Sequence, residues 1–172
     1  MRKPVIAVMG SSIEPHEAIC ARAATEIARV DAWLLTGGGG GVMASIAKHY
    51  QLAKPDGLVI GVLPCAEQGA AEPPPGYPNQ WVDIGIQTHL HLSGALGQEP
   101  MSRNHINVLS ASAVIALPGG PGTVSEVCLA HTYGKPVIVY HGEMSPLEGV
   151  PDSVMQTAKI EEVASFLRRH IA

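Results

Sequence analysis

Short β-branched runs that stop at glycine, each followed by a helical stretch, recur along this chain and leave few folds open to it. Val5-Ile6-Ala7-Val8-Met9 is a buried-strand run ending at Gly10. Residues 14–30 carry Ile19, Ala23, Ile27 and Val30 at three- to four-residue spacing, which predicts a helix. Trp33-Leu34-Leu35-Thr36 runs into five consecutive glycines, Gly37 to Gly41, and residues 42–52 read as a second helix with Met43, Ile46 and Ala47 on one face. A third strand is predicted over 58–63. Residues 70–80 contain Pro73, Pro74, Pro75 and Pro78, so this segment is a rigid surface loop, neither helix nor central strand. Beyond it the pattern predicts a strand near a sheet edge over 81–84, a helix over 98–110 and a strongly apolar strand over 113–117. A helix over 123–133, a strand over 136–140 and a closing helix over 159–170 complete the chain.

Alternation of this kind builds βαβ units with right-handed crossovers, hence an α/β fold around a mainly parallel, doubly wound sheet. At 172 residues the expectation is one domain spanning 1–172. Apolar residues make up 46% and charged residues 15%, which excludes global disorder. Aromatics reach only 4%, so Ala, Val, Ile and Leu must build the core, as in a buried parallel sheet. Eleven basic against fifteen acidic residues give a net charge of −4 and no broad basic field for nucleic acid, although a small pocket for one phosphate is compatible with it. Met1-Arg2-Lys3-Pro4 imitates the start of a signal peptide, but the apolar run after it is too short for one. No stretch approaches the roughly 18 apolar residues that span a membrane. A soluble, cytoplasmic protein is expected. Cys20, Cys65 and Cys128 fit no zinc or redox spacing and read as free thiols.

In doubly wound sheets, ligands sit beyond the C-terminal strand ends, where glycine-rich turns open the helices. Three turns qualify: Gly10-Ser11-Ser12, Gly37 to Gly41, and Gly119-Gly120-Pro121-Gly122-Thr123. All three are expected to converge on one edge. Gly39-x-Gly41-x-x-Ala44 formally satisfies a dinucleotide fingerprint, but it follows the second strand and lacks the acidic residue further on, which argues against NAD. Backbone N–H groups at such a turn still suit a phosphate or other anion.

Pro118-Gly119-Gly120-Pro121-Gly122-Thr123-Val124-Ser125-Glu126 is the most informative segment. Thr123 offers a hydroxyl beside N–H donors. Thr123-x-x-Glu126 is also a capping box, in which Glu126 would only bond back to the Thr123 N–H, so capping and catalysis both stay open. Ser11-x-x-Glu14 poses the same choice, and there capping is favoured.

This segment resembles the P-G-G-x-G-T-x-x-E motif of the LOG (LONELY GUY) proteins, and Arg103 stands where that family's Arg is expected on the preceding helix. The Gly-rich turn around residues 36–43 and Gly10-Ser11-Ser12 are similar to the family's nucleotide-binding turns. The resemblance implies a Rossmann-like three-layer sandwich, a homodimer, and a phosphoribohydrolase that cleaves AMP or a cytokinin-type nucleotide to free base and ribose 5-phosphate. Positive charge builds on the ribose during such cleavage, and a carboxylate stabilises it or positions water. Glu126 and Arg103 would be the catalytic pair, Arg103 holding the phosphate or ribose hydroxyls with its forked donors. Gly119, Gly120, Gly122 and Thr123 would cradle the phosphate, with Gly38, Gly39 and Ser12 around the ribose or base. No cofactor and no metal are implied. Asn104 follows Arg103 where the enzymes carry Lys, and Arg103-Asn104-His105-Ile106-Asn107 looks closer to a sister branch of molybdenum-cofactor carriers. A non-catalytic nucleotide-binding or carrier protein is therefore the alternative.

Other chemistry is poorly supported. His89-Leu90-His91 would place two rings on one face of a strand, but no third metal ligand stands at a motif spacing. His105 lies two residues after Arg103 and could approach the ligand, His131 reads as structural, and the turn His141-Gly142-Glu143 could line the pocket. Ser11 and Ser12 lack the partners and the G-x-S-x-G context of a serine hydrolase.

Overall fold

Strand residues of alternating direction find apolar partners on both faces of one sheet. The computed structural model describes residues 3–171. In it β1 (Val5–Met9) is followed by α1 (Glu17–Arg29), β2 (Trp33–Thr36), α2 (Val42–Ala53), β3 (Val59–Leu63) and β4 (Ile84–Gln87). Then come α3 (Asn104–Ser110), β5 (Ala113–Ala116), α4 (Pro121–Thr132), β6 (Val137–Tyr140), β7 (Met155–Thr157) and α5 (Ile160–Ile171). The sheet has seven strands in the order β4-β3-β2-β1-β5-β6-β7, and every pairing is parallel. Ile6, Val8, Ile115 and Leu117 pack with α1, α2 and α5 on one face. Ala7, Met9 and Val114 turn to the other, against Val108 and Ala111 near the end of α3 and Leu129 and Ala130 of α4. The result is the α/β Rossmann-like sandwich expected, with a sheet that is parallel throughout. Among the described residues no helix is long and apolar enough to cross a membrane. Met1 and Arg2 of the signal-like start lie outside the described residues.

Three expectations shift, each for a local reason, and one strand is added. The helix expected over 98–110 begins only at Asn104. Pro100 has no N–H to give and biases Glu99 away from helical angles, so residues 98–101 form turns and Ser102 makes an isolated bridge to Leu92. The edge strand expected over 81–84 is instead Ile84–Gln87. Asp83 caps the neighbouring strand by accepting from Val59 N–H at 2.8 Å, and Asn79 Oδ1 accepts from Trp81 N–H at 3.0 Å, which fixes 79–83 as a turn. The helix expected from residue 14 starts at Glu17, after Pro15 and a left-handed His16. Strand β7, with three residues, is too short for any periodicity to show.

The first turn is tied to both its neighbours. Ser11 N–H donates to Pro118 O at 3.0 Å, and Val42 N–H donates to Ser11 O at 2.8 Å. Gly10 allows this approach: a Cβ there would come within 2.6–2.8 Å of the fully buried Val42 side chain. Gly10→Ala is expected to cost about 1–3 kcal/mol by overpacking. Combined with Val42→Ala, the loss should be smaller than the sum, because the two changes share one space. Urea denaturation of the single and double variants measures both.

Candidate functional site

The strand order reverses between β1 and β5, and a cleft of roughly 380 Å³ opens beyond their C-terminal ends. The turn after β1 contributes Gly10, Ser11, Ser12 and Ile13, and Met9 and Met43 are apolar parts of its lining. Helix α4 opens onto the cleft with Gly120, Pro121, Gly122 and Thr123. Gly120 is its N-cap and no side chain caps it. Such a helix end presents N–H donors and a partial positive charge.

Arg103 and Glu126, the pair singled out from the sequence, meet in this cleft. Arg103 is only 7% exposed, and its guanidinium rests on Gly37. Its buried Nε has no hydrogen-bond partner, and among the described residues no carboxylate pairs with it within ion-pair distance. Glu126 is 8% exposed and accepts from Asn107 Nδ2 at 3.0 Å through Oε1. Burial pushes the Glu126 carboxyl up to about 7, against the opposing pull of the Arg103 charge and the Asn107 hydrogen bond. Near neutrality this group therefore exists in both protonation states.

The capping question resolves against capping for Glu126, since its recorded partner is Asn107 and the helix starts at Gly120. Ser11 does act locally, accepting from Ile13 N–H at 3.1 Å and Glu14 N–H at 2.9 Å, but it closes a turn and not a helix end.

Three of the proposed ligand glycines are placed elsewhere. Gly38, at φ +78°, packs on Leu63 and Gly61, while Gly39 lies under the Tyr77 ring. A Cβ at Gly119 would strike Thr123 Oγ1, so this glycine serves helix packing; it borders a separate shallow depression near Gln98 and Leu147. Gly37 is the glycine of the run that lines the cleft. The others give close packing: Gly41, at φ +57°, meets the backbone of Ser11 to Ile13.

Asn107 and Tyr77 were not assigned from sequence. Asn107 is one helical turn after Arg103, the spacing that puts two side chains on one face, so its part was open to inference. Tyr77 comes from the proline-rich loop, and no local pattern aims it at the cleft. Asn104 does not line the cleft; its amide lies against Gly97. His105 bonds Tyr133 Oη at 2.7 Å and the Gln98 and Glu99 carbonyls, fastening the 98–99 turn, and does not line the cleft. Gly142 and Glu143 border a groove against α1, not this cleft, and His141 bonds Met144 O at 2.8 Å. His89 and His91 lie outside regular strands, and His131 is exposed in the last turn of α4.

The state of Glu126 carries a prediction. Its folded value lies above the unfolded 4.5, so the bound proton favours folding below that pH, and the contribution is lost as pH rises through about 7. Glu126→Gln keeps an acceptor for Asn107 and has no proton to lose. It should match the parent near pH 5 and exceed it by on the order of 2–3 kcal/mol near pH 9. Urea midpoints across that range test this, and parallel pH profiles would refute it.

Comparison with known proteins follows the same lines. The chain is similar to the molybdenum cofactor binding protein of the phototrophic bacterium Rippkaea orientalis, with 32% identity and a TM-score of 0.76 over 100% of this chain and 99% of that one. It is also similar to the molybdenum cofactor carrier protein of Chlamydomonas reinhardtii, at 29% identity and a TM-score of 0.73, covering 98% of each. An uncharacterized protein of Archaeoglobus fulgidus is 35% identical over 104 residues, 60% of this chain, and the match spans 56% of that relative's length. A model of the SLOG cluster4 family matches residues 3–167. With the LOG-type motif of residues 118–126 and a fold shared with cofactor carriers, the chain belongs to the SLOG cluster4 family, within the LOG-like proteins.

Proposed function

We propose that this protein binds a phosphorylated small molecule of the molybdenum-cofactor type and carries it without chemical change. The observation that supports this most directly is Arg103: a guanidinium buried to 7% exposure in the cleft, with no counter-ion among the described residues. A buried cation left unpaired is costly, and a phosphate in the cleft would relieve that cost through forked, charge-assisted hydrogen bonds. The uncapped start of α4 adds N–H donors for the same anion. Met9 and Met43 offer apolar, adaptable surface to the body of a planar ligand. The names of the proteins of Rippkaea orientalis and Chlamydomonas reinhardtii agree with this cargo.

Glu126 favours a second reading. Its carboxyl stands in the cleft, held by Asn107 and free of capping duty, where a phosphoribohydrolase would need it. In that reading the substrate is AMP or a cytokinin-type nucleotide and Glu126 stabilises charge on the ribose.

The two readings require opposite protonation states. Binding a phosphate dianion is easier beside a neutral Glu126, whereas stabilising a ribosyl cation needs the carboxylate. The test is to load the protein with molybdenum cofactor released from a molybdoenzyme, remove unbound material by gel filtration, and measure the retained pterin fluorescence. Retention is expected, weakened at least about thirtyfold in Arg103→Ala. It should fall as pH rises through about 7, a decline absent in Glu126→Gln. In parallel, AMP and N6-isopentenyl AMP are incubated and free base sought by chromatography. Base release that climbs through the same pH and vanishes in Glu126→Gln, with no cofactor retained, would replace the carrier by the hydrolase.

A further inference from the structure

Two side chains of the cleft rest on bare backbone of the same glycine run. A Cβ at Gly37 would strike the Arg103 guanidinium, and one at Gly39 would come within 2.6–2.7 Å of the phenol end of Tyr77. Arg103 Cζ lies 5.8 Å from the Tyr77 ring centroid, inside the range at which an aromatic face attracts a cation. The loop carrying Tyr77 is fastened to the same turn. Asn79 N–H donates to Gly38 O at 2.8 Å, and Asn79 Nδ2 donates to Gly39 O at 2.7 Å. Arg103 has no comparable polar anchor for its guanidinium among the described residues, and its Nε is unpartnered. A side chain with that many rotatable bonds holds one orientation only against fixed surfaces. Gly37 supplies one and the Tyr77 ring the other.

We propose that Tyr77 is a positioning residue of the anion site: its ring, seated on the bare Gly39, holds the Arg103 guanidinium against Gly37 in the orientation that receives a phosphate. The glycine run thereby serves the ligand indirectly, as a bed for two side chains. A guanidinium oriented in advance loses less conformational freedom when the anion arrives, so the ring contributes to affinity without touching the phosphate.

The first test needs no ligand. It follows the 15N–1H resonance of Arg103 Nε–H, assigned by its disappearance in Arg103→Lys, and its exchange with water. Exchange should be slow in the parent protein, because Nε is buried. Tyr77→Ala should speed it about tenfold, the factor expected for loss of a partly desolvated cation–π contact. Gly39→Ala should do the same by displacing the ring while Tyr77 itself is unchanged. Tyr77→Phe should restore parental exchange, whereas Tyr77→Leu, which fills space without an aromatic face, should not. Parental exchange in both Tyr77→Ala and Gly39→Ala, or Tyr77→Leu behaving as Tyr77→Phe, overturns the proposal.

The second test rests on the carrier reading and uses the same cofactor-retention assay. Retention should weaken about tenfold in Tyr77→Ala and Gly39→Ala and stay parental in Tyr77→Phe. Absence of retention by the parent protein would count against the carrier reading alone, with the Arg103 resonance still deciding the role of Tyr77. Strong retention by the parent and by Tyr77→Ala alike would overturn the positioning role alone.

Discussion

Strand β1 runs between β2 and β5, paired from Val5↔Trp33 to Ala7↔Leu35 on one side and from Ile6↔Ala113 to Met9↔Ala116 on the other. After β1 the chain leaves toward α1 on one face of the sheet, and after β5 it leaves toward α4 on the other. Connections that part in this way leave a gap where they separate. The hydrogen bond from Ser11 N–H to Pro118 O closes the floor of that gap, and Leu117 N–H donating to Met9 O holds the two strand ends level. Everything that gives the cleft chemical character is hung on this junction: the uncapped start of α4 on one wall, the glycine run and Arg103 on the other.

The electrostatics of the site are unusually simple. Arg103 is the cleft's one cationic side chain and Glu126 its one carboxyl among the lining residues. They are not a close ion pair. Asn107, fully buried, donates to Glu126 and so occupies the carboxylate's attention while Arg103 stays unpaired. A carboxylate in direct contact with Arg103 would neutralise it and leave little for a ligand. Instead the carboxyl is lifted toward neutrality by burial, which keeps the cation available. Residue 104 contributes no second charge, because it is a neutral asparagine, and its amide lies against Gly97 outside the cleft lining.

The five glycines show how distant neighbours in the fold decide what a glycine run accommodates. Their position after a strand and before a helix puts the run at the edge of the sheet where the cleft opens. Their number suggested a row of N–H groups around an anion. In the folded chain Gly38 relieves a positive φ beside Leu63, Gly39 admits Tyr77, Gly41 meets the Ser11–Ile13 backbone, and Gly37 admits Arg103. Each absence of a side chain answers a neighbour far away in sequence, and such neighbours leave no mark within the run itself.

The α/β class, most strands and helices to within a few residues, and the meeting of Arg103 with Glu126 were legible in the amino-acid order. Those follow from periodicity, from turn chemistry and from a motif with few other uses, all of which act over short stretches of chain. That the sheet is parallel throughout, that Glu126 answers to Asn107 and not to Thr123, and that Tyr77 reaches the cleft from a loop of prolines emerges from the assembled fold. It also set the protonation of Glu126, which depends on how much protein covers the carboxyl and how near the Arg103 charge comes. Burial and distance are properties of the assembled fold, and no segment of the chain specifies them alone.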